Sequence, residues 1–294
     1  MPRRLALSLD AVIVAVTSDQ PRVLTASTSP AAAPALPFGL LDADGDATLE
    51  LGLRRWIRAQ TGLAVGYVEQ LYTFGDRDRQ RTGDGERQLS VAYLGLVKEA
   101  QPAPGAAWVN GYDLLPWEDR RAGLPAIVSK EILPALARWA GRDATRRHRM
   151  QANFGDRRGW DPIRVLERYE LLYEAGLVPE FERDRGDRSA RTPIAGTELA
   201  LDHRRIVATA LGRLRGKLKY RPVVFELLPE TFTLLQLQRT VEALTGMRLH
   251  KQNFRRLVES GDFLEPTRGV EKAARGRPAK LFRFRKEVVR TRLY

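Results

Sequence analysis

The chain has 294 residues, 49 Lys+Arg against 36 Asp+Glu, a net charge of +13, and no cysteine. That length suffices for two domains. The missing cysteine excludes disulfides, thiolate nucleophiles and Cys-ligated zinc, and His148, His203 and His250 are too far apart in sequence to form a metal-site pattern. Residues 1–150 hold 19 basic and 17 acidic side chains and residues 151–294 hold 30 and 19, so an acidic partner is expected in the second half.

The first twenty residues contain a short apolar stretch interrupted by Asp10, followed by Thr17-Ser18-Asp19, a poor cleavage site. They predict a buried strand from Asp10 to Thr17 rather than a signal peptide, and a cytoplasmic protein. No run of about 18 apolar residues is present, so no membrane partner is expected. Val23–Thr25 is a candidate partner strand, and Ser29–Pro37 is a Pro/Ala loop. Leu49, Leu53, Trp56 and Ile57 share one helix face, which Gly62 ends. Val68–Phe74 and Gln88–Val97 read as strands, separated by a charged loop with three glycines, and Ile127–Trp139 reads as a helix. Mixed strands and helices in this order predict an α+β sandwich.

Residues 161–175 predict a helix capped by Asp161, with Pro162 at its first position and Val165, Leu166, Tyr169 and Leu172 inward. Thr197 is expected to cap a helix from Glu198 to Lys217. Ile206, Ala210 and Leu214 face one way, and Arg204, Arg205, Arg213, Arg215 and Lys217 face elsewhere. Residues 150–220 thus read as a helical connector with room for dimer contacts.

The last quarter is the most informative. Thr233 precedes a helix with Leu234, Leu237, Val241 and Leu244 on one face, ended by Gly246. A second helix, from about His250 to Ser260, turns Phe254, Leu257 and Val258 inward and Lys251, Gln252, Asn253, Arg255 and Arg256 outward. Two strand-like runs, 263–265 and 281–284, flank a Gly/Pro/Arg-rich hairpin with Lys272, Arg275, Arg277 and Lys280. Helix, turn, basic helix and basic hairpin is the order of a winged helix that reads double-stranded DNA. Asn and Gln bond bidentately to adenine and Arg to guanine, while cations on the hairpin neutralise phosphates. The expected DNA-binding set is Lys251, Gln252, Asn253, Arg255, Arg256, Arg275, Arg277 and Lys280.

Residues 41–63 lie where a Nudix box would be. Aligned on its C-terminal end, Arg55, Ile57, Gly62 and Leu63 fit, but Trp56, Ala59 and Gln60 occupy the three glutamate positions and Ala47 the upstream one. A hard cation needs several oxygen ligands at once, so hydrolysis is not expected and neither metal nor cofactor is required. With RRWIRAQTGLAVGYVEQLYTFGDRDR, QLSVAYLGLV, LHKQNFRRLVE and GRPAKLFRF, the chain resembles the Nudix-related transcriptional regulators of NAD metabolism. WDPIRVLERYELLYEAGLV and DHRRIVATALGRLRGKLKYRPVVFELLPE look like the NadQ-type branch rather than the shorter NrtR-type.

The resemblance implies a Nudix-like α/β/α sandwich (1–149), the connector (150–220) and a winged helix-turn-helix (221–294). It implies repression of NAD biosynthesis genes by a homodimer on a palindromic operator. It also implies an adenine nucleotide effector, ADP-ribose, NAD or ATP. By position, Phe74, Asp76, Arg77 and Arg79 after the second long strand would border the effector, with Arg54, Arg55 and Arg58 on the box helix adding charge. The alternative is a metal-dependent hydrolase of nucleoside diphosphate derivatives with an accessory nucleic-acid-binding domain.

Overall fold

An unbroken alternation of apolar side chains makes the first strand long. In the computed structural model, β1 spans Leu5–Thr17, well beyond the stretch expected, and turns through Ser18 and Asp19 (φ 52° and 60°) into β2, Gln20–Ala26. Positive φ at both turn residues matches the twist of a two-residue hairpin. The structure describes residues 5–27, 33–76, 87–155, 160–185, 196–218, 223–261, 263–271 and 278–285. Then follow β3 (Phe38–Leu40), α1 (Leu49–Thr61), β4 (Tyr67–Phe74), β5 (Arg87–Leu96), β6 (Ala106–Asn110) and α2 (Gly111–Leu114). A wide helical turn, Val128–Ile132, runs into α3 (Leu133–Ala140), and α4 is Ala144–Phe154.

The sheet order is β4-β5-β1-β2-β6, with β3 also paired to β1. β1 and β5 are parallel, with Val12 opposite Leu94; β1–β2, β2–β6 and β4–β5 are antiparallel. Because side chains alternate along β1, Leu9, Ala11 and Ile13 meet Leu53 and Ile57 of α1 on one face. Val12 and Val14 belong to a larger core on the other face, with Leu136, Leu172, Ile206 and Ala210. The result is an α/β/α sandwich.

Three helices complete the middle of the chain: α5 (Val165–Glu174), α6 (Pro179–Arg185) and α7 (His203–Leu218). α5 begins later than its sequence suggests. The Asp161 carboxylate accepts the Ile163 N–H (3.0 Å) in a turn, and Arg164 holds the cap position without a side-chain bond. Thr197 caps nothing; its N–H donates to the Asp113 carbonyl (2.8 Å), and α7 starts only after Leu201 has passed through φ 52°. The connector helices share the large core with the sheet, and the 149/150 limit falls inside α4. Arg204 and Arg215, expected to face away from the core, are fully buried.

The winged-helix segment opens on a 3-10 turn (Val223–Leu227), then β7 (Phe232–Thr233), α8 (Leu234–Thr245), α9 (Lys251–Ser260), β8 (Leu264–Glu271) and β9 (Ala279–Phe284). The strand order is β7-β9-β8. Thr233 and Gln236 form a reciprocal capping box at the start of α8, and Gly246 closes it at φ 70°.

Candidate nucleic-acid interface and effector site

The geometry of the basic helix is set by what lies behind it. Glu242, near the end of α8, accepts bonds from Gln238 Nε2 (2.8 Å), Arg248 Nη1 (2.8 Å) and the Leu249 N–H (3.0 Å). Burial pushes this carboxyl up, but those bonds outweigh burial and hold it below the usual carboxylate range. The turn between α8 and α9 is thereby fixed. Phe254 anchors α9 in the core, and Lys251, Gln252, Asn253, Arg255 and Arg256 are all exposed. Lys251 and Arg255, and Gln252 and Arg256, stand four residues apart and so stack as two rungs along the exposed side. Leu257, expected inward, is 69% exposed.

On the hairpin, Lys280 is exposed, with its ammonium 5.8 Å from the Phe282 ring. Lys272, Arg275 and Arg277 lie outside the described residues. Sequence reading passed over Arg268, an exposed cation on β8 two residues before Val270, the partner of Lys280. The sequence pattern predicts a first wing strand of three residues, whereas β8 has eight, which carries Arg268 onto the wing.

α8 is also gripped from behind by the first domain and α7. Its last carbonyls lack intrahelical partners. Tyr112 Oη donates to the Ala243 carbonyl (2.6 Å), Arg215 Nε to Leu244 (2.9 Å) and the Arg120 N–H to Gly246 (2.8 Å). Arg215 and Arg168 both bind Glu118, and all three side chains are 0% exposed. Burial pushes the Glu118 carboxyl up, but the two guanidiniums outweigh it and hold it below the usual range. Sequence reading found none of this cluster, since charged side chains on a helix are normally solvated.

On α1, two of the residues aligned with the box's glutamate positions pin β3. Trp56 Nε1 donates to the Leu40 carbonyl (2.9 Å). Gln60 Nε2 donates to the Phe38 carbonyl (2.7 Å), and its Oε1 accepts the Phe38 N–H (3.0 Å). Ala59 is exposed. Nearby carboxylates are engaged: Asp46 is bidentate with Arg55 (2.9 and 2.7 Å), and Glu50 accepts from Arg54 Nε (2.9 Å). The bond from Arg55 holds Asp46 below the usual carboxylate range. Among the described residues, no group of three or more His, Asp or Glu side chains could hold a metal ion.

Among the described residues, the expected effector residues do not converge. Arg54 reaches the Val65 and Gly66 carbonyls, Arg55 lies 4.6 Å from the Trp56 ring centre, and Arg58 is exposed, all on the α1 side of the sheet. Phe74 belongs to the opposite core at 2% exposure, edge-on to Tyr72 and beneath Arg205, so its ring has no open face for a base. Asp76 is ion-paired with Arg205. Arg77 and Arg79 lie outside the described residues. Two cavities, about 690 and 740 Å³, lie beside α5 and α7 and beneath α9, and none of these residues lines either.

An α/β/α sandwich continued through α5–α7 into a winged helix defines the class of fold. Residues 224–284 match the family model described as the NrtR DNA-binding winged helix domain. A curated relative, the ADPR responsive transcriptional repressor NtrR of Acinetobacter baylyi, is 40% identical over 88 residues, which is 30% of this chain and 34% of that protein. The match thus spans about a third of the relative's length. Shewanella oneidensis NrtR, solved in complex with a 27mer DNA, superposes with a TM-score of 0.59 over 97% of this chain and 95% of its own, at 22% identity. A MutT/nudix family protein from Enterococcus faecalis gives 0.58 over 97% and 88%, at 17% identity. These structures establish the fold. Residues 224–284 match the NrtR winged-helix model, and the whole chain shares the fold of Shewanella NrtR. Among the described residues, no helix is long and apolar enough to cross a membrane.

Proposed function

We propose that the chain is a DNA-binding transcriptional repressor whose Nudix-like domain senses ADP-ribose without hydrolysing it. The observation that carries this reading is the exposed basic side of α9, presented on a rigid turn in a domain of the NrtR type. Arg255 and Arg256 with Gln252 and Asn253 supply base-reading chemistry, and Lys280 and Arg268 supply backbone contacts, with Arg275 and Arg277 proposed to add to them. A homodimer on a palindromic operator ahead of NAD biosynthesis genes is the assembly we propose, the connector helices carrying the dimer contacts. Domain limits of 1–149, 150–220 and 221–294 are part of the same proposal, the first moved to the end of α4 at Phe154 because 149/150 would cut that helix.

The name of the Acinetobacter relative supports ADP-ribose as effector over NAD or ATP. The cationic side of α1, with Arg55 and Arg58, is the surface proposed for its diphosphate, since buried Phe74 offers no stacking face. The absence of hydrolysis rests on Trp56 and Gln60, whose polar atoms are committed to β3 at positions where metal-holding carboxylates would stand.

The test is duplex selection from a random pool, followed by binding of the selected sequence and a scrambled one over a salt series. Specific binding with a steep salt slope supports the reading. Equal affinity for both duplexes, or product released from ADP-ribose with Mg²⁺ or Mn²⁺, overturns it in favour of a nucleic-acid-associated hydrolase.

A further inference from the structure

Three guanidiniums surround one indole where the first domain, α5, α7 and α8 meet. Arg120, Arg168 and Arg215 lie 5.0, 4.9 and 5.2 Å from the Trp160 ring centre. The carboxylates beside them are used up. Glu118 Oε1 accepts from Arg168 Nε (2.6 Å), and its Oε2 accepts from Arg168 Nη2 (2.8 Å) and from Arg215 Nη1. Asp119 is taken bidentately by Arg121 (2.8 Å at each oxygen). Among the described residues Arg120 therefore has no counter-ion: its Nε and Nη2 are buried without a hydrogen-bond partner there, and so is Nε1 of Trp160.

Two unpaired guanidinium donors beside the ring and the ring's own Nε1, in a described cluster with more cations than anions, leave a desolvation cost unmet. A carbonyl would satisfy one donor. A tetrahedral oxyanion supplies several acceptor oxygens together with the missing negative charge, and guanidinium is the side chain best matched to it. Burial, reinforced by the nearby Arg168 charge and only partly offset by Glu118, also pushes the Arg120 pKa down to about 10, as expected of a cation short of anionic partners.

We propose that this junction is a binding site for an oxyanion of the phosphate class, held by Arg120 Nε and Nη2 and Trp160 Nε1. The site is separate from the α1 surface proposed for the nucleotide and does not depend on DNA binding. Its position has a consequence: the backbone N–H of Arg120 holds the Gly246 carbonyl at the end of α8, so an anion that orders Arg120 also stiffens the mounting of the DNA-reading helices.

The shared chemistry has two sources, free inorganic phosphate or the phosphate of a nucleotide. The test uses the full chain without DNA, in chloride at constant ionic strength, titrated with inorganic phosphate in one arm and ADP-ribose in the other, by calorimetry and tryptophan emission. Arg120→Gln, Arg120→Lys and Trp160→Phe are run beside wild type. Saturable phosphate binding that Arg120→Gln weakens roughly tenfold or more, and that Arg120→Lys partly retains, assigns a free-phosphate site. The same pattern for ADP-ribose alone assigns the site to a nucleotide phosphate. If neither ligand is distinguished from chloride, or if Arg120→Gln binds like wild type, the proposal fails. Because no DNA enters the assay, that failure leaves the DNA-binding reading standing; ADP-ribose binding that Arg120→Gln does not change fails this site alone, whereas no ADP-ribose binding also counts against nucleotide sensing.

Discussion

Glu118→Gln tests whether the buried cluster mounts the winged helix on the sandwich. The carboxylate accepts three charge-assisted bonds from two guanidiniums, all at full burial. Glutamine keeps one acceptor oxygen and turns an amide against a guanidinium, leaving buried cations with no anion. Removing one partner of a buried pair costs about 3–5 kcal/mol, and two cations share this one. At roughly 2–4 °C per kcal/mol for a chain of this size class, the thermal midpoint should fall on the order of 10 °C. The pH dependence has a fixed sign. The folded pKa of Glu118 is depressed, so its contribution is complete above the unfolded carboxylate value and is lost as pH falls through the folded value. Wild type should therefore lose stability below about pH 4.3 more steeply than the variant. Urea titrations from neutral to acid pH, followed by tryptophan emission, measure both effects. A variant within about 1 kcal/mol of wild type at neutral pH, with an unchanged acid slope, refutes the assignment.

Gly246→Ala should destabilise by about 2 kcal/mol or more, because φ is 70° and the new methyl would collide with the Glu118 carbonyl oxygen; denaturant midpoints check this. Arg256→Ala should weaken binding to the selected duplex by roughly 1–3 kcal/mol and relax specificity, while Lys280→Ala should weaken all duplexes alike and reduce the salt slope by about one; anisotropy titrations separate the two. Gln60→Glu should cost about 1–3 kcal/mol at neutral pH, since a carboxylate cannot donate to the Phe38 carbonyl, and less in acid, where the protonated form can; pH-resolved unfolding reads this.

Elements with local stop and start chemistry were legible in the sequence. α1 has the predicted limits because Thr48 caps it (3.1 Å to the Leu51 N–H) and Gly62 ends it at φ 71°. α8 runs from its Thr233 cap to Gly246 for the same reason. Side chains whose fate depends on distant partners were not legible. Arg168 and Arg215 sit at ordinary helix positions, and only Glu118, 50 and 97 residues away, turns them into core. The polar and charged residues of α7 likewise gave no sign that His203 would be buried between Leu36 and Asp10, accepting the Leu36 N–H at Nδ1 (3.0 Å) and facing Asp10 Oδ1 through Nε2 (3.2 Å). Phe74 illustrates the cost of a strand's period of two: it ends β4 as the sequence predicts, and its face is core. Leu257 errs the other way, because the cavity beneath α9 leaves its helix face underpacked.

The central claim is that one chain couples a nucleotide to DNA reading. Its most direct test is the affinity of the full chain for its selected duplex at fixed salt, measured with and without ADP-ribose, and with NAD and ATP in parallel. A change of about fivefold or more with ADP-ribose, absent for the scrambled duplex, is the predicted result and corresponds to a coupling of about 1 kcal/mol. Unchanged affinity with all three nucleotides would contradict the account, leaving a DNA-binding module without a sensor.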